Sequence, residues 1–162
     1  MSKIIYTRKG EEILVDDGDF EWLNQWVWYI NDSGYVLRRQ HIKLGYKKYG
    51  GRGIRMHRLI MKFPKGKVDH EDGNPQNNQR SNLRLATNSE IGFNSKIPTT
   101  NTTGYKWICW DKSRQQYHVS TKLNQKKINV GRFNTLEEAI QAVEDKILPL
   151  MGKFAPKTWK RH

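Results

Sequence analysis

The side chains with the clearest potential for chemistry lie near the middle of this 162-residue chain. Asp69 and His70 are adjacent, and Asn82 follows twelve residues after His70. Carboxylate oxygens bind Mg²⁺ and similar hard cations, with water and substrate phosphate completing the coordination shell. An imidazole with an ordinary pKa near 6.5 accepts a proton at neutral pH, and such a base typically accelerates a reaction by ~10²–10⁴. These residue types suit metal-assisted chemistry with a histidine base.

Two short strands and a helix are expected to position these side chains. The run from Lys67 to Pro75 predicts a short strand that enters a turn, and Leu/Arg/Leu alternation predicts a second strand over residues 82–86. Thr87 to Glu90 offers capping residues for a helix that runs to about Lys96. A unit this small has too little core to stand alone, so it must rest on its neighbours or on a metal.

This segment resembles the HNH, or ββα-metal, endonucleases, and in particular the short HNH homing endonucleases of phages. The matching stretches are Met56-His57-Arg58-Leu59-Ile60, Val68-Asp69-His70-Glu71-Asp72-Gly73-Asn74, Asn77-Asn78 and Ser81-Asn82-Leu83-Arg84. The resemblance implies that Asp69 binds a divalent cation, Mg²⁺ or Mn²⁺. It also implies that His70 deprotonates the water that attacks a phosphodiester, and that Asn82 holds the His70 imidazole in position.

One position departs from the family pattern. The family places a second metal ligand in the helix nine residues after the strand asparagine, and that position is Ile91 here. Asn94 matches a later asparagine of the family, but it lies about one helical turn further along. Two interpretations stay open. Asp69, phosphate and water hold the metal weakly, with Asn94 as a weak ligand, or the chain has lost cleavage and kept DNA binding.

The last third of the chain predicts three short strands covered by one helix. Residues 104–110, 116–122 and 126–133 have strand character, and a capping-box pattern at Thr135 opens a helix with an apolar stripe. The segment resembles the ethylene-response-factor (apetala) DNA-binding domain in Gly104-Tyr105, Val130-Gly131-Arg132-Phe133, Glu137-Glu138-Ala139 and Met151-Gly152-Lys153-Phe154-Ala155. The resemblance implies that the uncovered face of the sheet enters the major groove of duplex DNA.

Strand alternation assigns side chains to the two faces of this sheet. The residues expected to face the helix are Ile108, Tyr117, Val119, Thr121, Ile128 and Val130. The candidate DNA contacts, together with Arg84, are Lys106, Lys112, Arg114, His118, Ser120, Lys122, Lys127, Asn129 and Arg132. Lysines and arginines should mostly bind phosphates, whereas Asn129, His118 and Arg114 are the better candidates for reading bases.

The first fifty residues predict a small auxiliary sheet. A strand over 12–15, a helix around 20–25 capped by Asp17 or Asp19, and a hairpin of 26–30 with 34–38 are expected. The aromatic residues are more consistent with a core than with base stacking. A glycine-rich stretch over residues 45–53 marks a weak break before the central segment.

The composition indicates a polyanionic partner. Twenty-nine Lys and Arg against sixteen Asp and Glu give a net charge of +13. The single cysteine, Cys109, excludes a disulfide framework and a thiolate zinc finger. No apolar stretch approaches the roughly 20 residues of a membrane helix, and the start lacks a signal core. We expect no membrane partner, no small-molecule cofactor, and a cytoplasmic location in a bacterium or a phage-infected host.

These observations predict an α+β fold in three parts: an auxiliary sheet over residues 1–53, the HNH unit over 54–97, and a three-stranded antiparallel sheet with one helix over 98–162. Residues 97–103 should link the last two. The predicted function is a site-specific, homing-type endonuclease acting on double-stranded DNA. A non-enzymatic DNA-binding protein is the main alternative, and RNA binding rests only on charge and aromatic content. The target sequence, a nick or a double-strand break, and the oligomeric state stay open.

Overall fold

The computed structural model describes residues 1–39, 53–156 and 159–161, so most of the glycine-rich break predicted over 45–53 lies outside the described residues. The chain has the predicted α+β class. It divides into two compact units, Met1–Ala86 and Thr87–His162. The finer division into residues 1–53, 54–97 and 98–162 stays a prediction. None of the described helices is long and apolar enough to cross a membrane.

The first unit is assembled from short antiparallel strands around one apolar core. Its elements are β1 (Ser2–Tyr6), β2 (Glu12–Asp16), α1 (Asp17–Asn24), β3 (Tyr29–Ile30), β4 (Val36–Arg38), β5 (Ile54–Arg55), α2 (Met56–Ile60), β6 (Lys67–His70), a 3₁₀ turn (Arg80–Asn82) and β7 (Leu83–Ala86). β1 pairs with β2, β6 pairs with β7, and β3, β4 and β5 form a third sheet. The core contains Ile5, Ile13, Val15, Leu23, Trp28, Val36, Met56, Ile60, Val68 and Leu83.

The first helix begins earlier than the sequence predicts. α1 starts at Asp17, and its N-cap is Asp16, whose side chain makes no capping hydrogen bond. The prediction that Asp17 or Asp19 caps the helix is therefore wrong, because both lie in its first turn. Carboxylates in the first turn favour the helix because they face its positive dipole end. Asp19 is also buried and accepts hydrogen bonds from Arg80 Nε and Nη2, each at 2.8 Å.

The N-terminal aromatic residues mainly contribute to the core, as predicted. Trp28 is 1% exposed, and its indole N–H donates to the carbonyl of Leu23 at 2.8 Å. Trp26 lies edge-on between Trp22 and Trp28, with ring centroids 5.8 and 6.1 Å apart. Tyr6 and Tyr29 are exceptions, at 61% and 39% exposure.

The second unit contains a three-stranded antiparallel sheet with strand order β10-β9-β8. Its elements are α3 (Asn88–Asn94), β8 (Ile108–Asp111), β9 (Gln116–Leu123), β10 (Lys126–Phe133), α4 (Leu136–Lys146), α5 (Leu148–Met151) and a 3₁₀ turn (Gly152–Phe154). α4 begins with the predicted capping box, in which Thr135 Oγ1 accepts from the Glu138 N–H and the Glu138 carboxylate accepts from the Thr135 N–H. α4 packs on β9 and β10, and the shared core includes Ile108, Val119, Ala139, Val143 and Ile147.

A β-bulge in β10 changes the predicted alternation of that strand. Asn129 pairs with Ser120, but the next pair is Gly131 with Val119, so Val130 has no partner in the register. Residues after the bulge change faces relative to a regular strand. Arg132 consequently pairs with His118 and shares the face that carries Asn129.

Part of the predicted linker is held by hydrogen bonds within the second unit. Asn101 Nδ2 donates to the carbonyls of Tyr105 and Ile108, each at 3.0 Å, and Thr103 Oγ1 donates to the Ile108 carbonyl at 2.9 Å. These side chains satisfy carbonyl groups just before and inside β8. The polar character of the segment thus reflects specific hydrogen bonds as well as solvent exposure.

Candidate active site

β6 and β7 place the predicted catalytic and metal-binding residues on neighbouring strands. In their antiparallel register Asp69 lies opposite Arg84, and His70 lies opposite Leu83. Successive side chains of a strand point to opposite faces, so His70 shares the buried face with Val68. The structure therefore brings Asp69 to Arg84 and directs His70 into the core.

The His70 ring is held in a buried site by Asn78. His70 is 4% exposed, and its Nε2 lies 3.4 Å from Asn78 Oδ1. Asn78 is fully buried, and its Nδ2 donates to the Pro75 carbonyl at 3.1 Å. Burial lowers the pKa of His70 below its ordinary value, although the hydrogen bond to Asn78 and nearby carboxylates oppose the shift. His70 is therefore neutral at pH 7.

Asn82 fastens the loop that follows β6. Its Oδ1 accepts from the backbone N–H of Asp72 at 3.0 Å, and its Nδ2 donates to Asp72 Oδ1 at 2.9 Å and to the Asn77 carbonyl at 2.8 Å. Burial acts to raise the pKa of Asp72, but hydrogen bonds from three asparagines outweigh it and lower that pKa. Asn78 makes the hydrogen bond to the His70 ring, and a role of Asn82 toward His70 stays a prediction.

Asp69 forms a largely buried ion pair with Arg84. Asp69 Oδ2 accepts from Arg84 Nε at 3.3 Å and from Nη2 at 3.2 Å. The Asp69 and Arg84 side chains are 10% and 13% exposed, and Arg84 Nη1 lies 3.8 Å from Glu71 Oε2. Arg84, a predicted DNA contact, thus partly neutralises the predicted metal ligand. Across the described ranges, no three His, Cys, Asp or Glu side chains are grouped to hold a metal ion.

The predicted helical metal ligand belongs to the other unit. Asn94 is the last residue of α3, and Ile91 lies in the same helix. Asp69 lies in the first unit, whereas α3 lies in the second. Ile91 offers no donor atom, and Asn94 as a weak ligand stays a prediction.

His57 is a buried residue of this region that the sequence did not single out as a site residue. It lies in α2 and is 2% exposed. Its ring centroid is 5.0 Å from that of His70, with an interplanar angle of 80°. The Tyr35 ring lies 5.4 Å from His57 and 6.2 Å from His70. Burial lowers the pKa of His57 to about 3. The sequence signal that could have indicated His57 is its place in the stretch Met56-His57-Arg58-Leu59-Ile60, which matches the HNH endonucleases.

The uncovered face of the second unit's sheet carries several of the predicted DNA contacts. His118 Nε2 lies 2.8 Å from Asn129 Oδ1, and Cys109 Sγ lies 3.8 Å from His118 Nδ1. Asp111 Oδ2 lies 3.3 Å from Arg114 Nη1 and 3.7 Å from Arg132 Nε. The strand register also places Ser120, Lys122, Lys127 and Asn129 on this face. Lys112 lies in the turn between β8 and β9.

The predicted exposed orientation of Lys106 is wrong. Lys106 is 9% exposed, and its Nζ donates to the carbonyl of Phe93. Burial lowers its pKa to about 8. Lys106 precedes β8, and the next residue, Trp107, has a φ of 63°. The alternation of an extended strand therefore does not reach back to Lys106.

β6 ends in an Asp-His pair, and it is followed by its antiparallel partner β7 and by the capped helix α3. The HNH endonuclease family model matches residues 56–92. Protein 3.8 of Escherichia phage T7 is 38% identical over 94 residues, which cover 57% of this chain and 77% of that protein. The uncharacterized HNH endonuclease L560 of Acanthamoeba polyphaga mimivirus is 30% identical over 150 residues, which cover 91% of this chain and 74% of that protein.

The chain belongs to the HNH endonuclease family. Nucleases of this family generally depend on a divalent metal and act on nucleic acid. No solved structure matches the chain significantly. The likeness of the second unit to ethylene-response-factor domains stays a prediction.

Proposed function

We propose that this protein is a site-specific, homing-type endonuclease that hydrolyses phosphodiester bonds of double-stranded DNA. His70 serves as the general base, and Asp69 is a ligand of Mg²⁺ or Mn²⁺. The observation that carries the proposal is the neutral, buried His70 at the end of β6, inside the segment that matches the family.

The hydrogen bond to Asn78 assigns separate tasks to the two nitrogens of His70. Asn78 Nδ2 donates to the Pro75 carbonyl, so Oδ1 is the atom that faces the ring. A carbonyl oxygen only accepts, and His70 Nε2 therefore carries the proton. In this tautomer the basic lone pair is on Nδ1, which takes the proton of the attacking water.

The donor chemistry near Asp69 fits a hard cation that retains several water ligands. One carboxylate is enough for Mg²⁺ when water and substrate phosphate complete the shell. When bound, such a cation stabilises the negative charge that develops on the phosphate. Arg84 lies 3.2 Å from Asp69 and adds positive charge for the same phosphate.

We assign DNA binding mainly to the uncovered sheet face of the second unit. Arg132, Lys122 and Lys127 contact phosphates, Lys112 and Ser120 add further contacts, and Arg114 reads bases. His118 and Asn129 read bases as a pair, because their mutual hydrogen bond of 2.8 Å orients both side chains. Lys106 is left out of this surface because it is buried.

Cleavage of supercoiled plasmid by the full chain in Mg²⁺ and in Mn²⁺ tests the proposal. His70→Ala should lower the cleavage rate by about 10²–10⁴ while DNA affinity changes little. Asp69→Asn should shift the metal concentration needed for half-maximal rate upward. The matched control is His118→Ala, which should weaken DNA binding without abolishing the chemical step. A wild-type rate in His70→Ala would reject the assigned base.

A second function is favoured by one specific residue. Ile91 stands where the family has a metal ligand, which supports a weakened or inactive relative that acts as a sequence-specific DNA-binding protein. Ile91→Asn separates the two functions. A gain of nicking activity would identify Ile91 as the cause of weak cleavage. If neither the natural chain nor Ile91→Asn cuts DNA that both bind, the non-enzymatic function is the correct one.

A further inference from the structure

We propose that His57 is a positioning residue for His70, and that its Nδ1 atom holds the His70 imidazole in one orientation and one tautomer. The proposal rests on the proposed function of His70 as the base. It adds to the site a second histidine that has no metal-binding or base role of its own.

The first observation is the unsatisfied nitrogen of His57. Within the described part of the chain, His57 Nδ1 is buried and has no hydrogen-bond partner. A buried polar atom without a partner destabilises the folded state, and an apolar side chain of similar size would avoid that loss. Met56 and Ile60, in the same short helix, are apolar and fully buried. Core filling alone therefore does not account for an imidazole at position 57.

The second observation is the place of the His57 ring beside the ring of the proposed base. The ring centroids of His57 and His70 are 5.0 Å apart. Two imidazoles joined by one hydrogen bond of about 3 Å have centroids roughly 5 Å apart, since each nitrogen lies about 1 Å from its ring centre. The observed separation is therefore within reach of a hydrogen bond, after a small ring rotation or through one internal water, in which His57 Nδ1 shares the His70 Nε2–H with Asn78 Oδ1. His57 then favours the Nε2–H tautomer of His70 and does not engage His70 Nδ1, the proposed base.

The third observation is that the surroundings keep His57 uncharged. Burial lowers the pKa of His57 most, and the nearby His70, Arg55 and Arg58 lower it further. A neutral imidazole has one donor and one acceptor nitrogen. It can therefore pair with His70 without adding a second positive charge to the same buried pocket.

Two substitutions distinguish the contribution of the Nδ1 atom from that of the aromatic ring. His57→Asn retains a polar atom near the position of Nδ1 and loses the ring, whereas His57→Phe retains a ring and loses the nitrogen. Nitrogen-15 NMR of the full chain reports the tautomer and line width of His70 in each variant, and the buried Trp28 indole signal reports folding. Met56→Leu is the matched control for a change in the same helix. His57→Leu replaces the Phe variant if the larger ring prevents folding.

We expect the wild type and His57→Asn to show one His70 tautomer with narrow signals, and His57→Phe or His57→Leu to show mixed tautomers or broadened signals. In cleavage assays, His57→Phe should lower the single-turnover rate constant by about 10- to 100-fold, with DNA affinity within about twofold. His57→Asn should stay within about fivefold of wild type. A purely structural defect would instead lower the reaction amplitude and leave the rate constant unchanged.

Two results would overturn the assignment. One is a His57→Phe or His57→Leu variant whose His70 signals match the wild type, because packing alone would then suffice. The other is equal disturbance by His57→Asn and His57→Phe, which would reject the nitrogen as the active feature. The NMR measurement needs no cleavage, so it decides whether His57 holds the His70 ring even if the His70→Ala experiment rejects His70 as the base.

Discussion

Acid should destabilise the first unit through His57, and the size of the effect follows from its burial. The pKa of His57 is about 3 in the folded protein, against an ordinary value of 6.5. The unfolded chain therefore binds this proton first, and stability falls as the pH decreases from about 6.5 toward 3. One pKa unit corresponds to about 1.4 kcal/mol. Between pH 7 and pH 5, this group alone should reduce the free energy of unfolding by about 2 kcal/mol.

The measurement compares wild type with His57→Phe in urea at both pH values. The buried Trp28 indole N–H serves as the probe, because it reports on the first unit alone. The variant should lose about 2 kcal/mol less than the wild type between pH 7 and pH 5. Any misfit of the larger ring acts equally at both pH values and cancels in the difference.

His118→Phe provides the control for this comparison, because His118 lies on the sheet of the second unit. In the His118→Phe variant, the free energy of unfolding reported by the Trp28 signal should show the same pH dependence as in the wild type. Identical pH dependence in wild type and His57→Phe would refute the reasoning. It would mean that the imidazole of His57 is hydrated in solution and titrates normally.

Three further predictions concern stability and DNA binding. Asp19→Asn should lower the free energy of unfolding of the first unit by about 1–3 kcal/mol in urea denaturation. It replaces one of the two buried oxygens that accept 2.8 Å hydrogen bonds from Arg80 with an amide donor, and it removes the negative charge of the ion pair; unchanged stability would contradict this. Lys106→Met should change the free energy of unfolding by no more than about 1 kcal/mol, because the lost hydrogen bond to Phe93 offsets the relieved desolvation of the amine. It should leave DNA affinity unaltered in a fluorescence-anisotropy titration, because the amine is buried. The matched variant Lys122→Met, on the exposed sheet face, should weaken DNA binding. If about six phosphates are contacted, log K against log [salt] should have a slope near −5, and affinity insensitive to salt between about 50 and 200 mM would reject the sheet as a DNA-binding surface.

Local patterns predicted many of the elements around the site. The β6 strand and the capping boxes of α3 and α4 depend on a few neighbouring residues, so their formation can be read from short stretches. The start of α1 was misplaced because consecutive acids are equally compatible with a turn and with the first turn of a helix. Lys106 was assigned to the wrong face because a positive φ at Trp107 interrupts the alternation.

The order of residue types along the chain was enough to identify the HNH segment, the position of Asp69 and His70 in one strand, and the departure at Ile91, because all three depend on spacing within some forty residues. Only the tertiary structure showed that Asn78 holds the His70 ring, that Arg84 neutralises Asp69, and that His57 lies 5.0 Å from His70. These contacts join separate elements, and burial then decides their effect. An imidazole withdrawn from water becomes neutral and directional, whereas the same residue in a solvated turn would remain an ordinary titrating histidine.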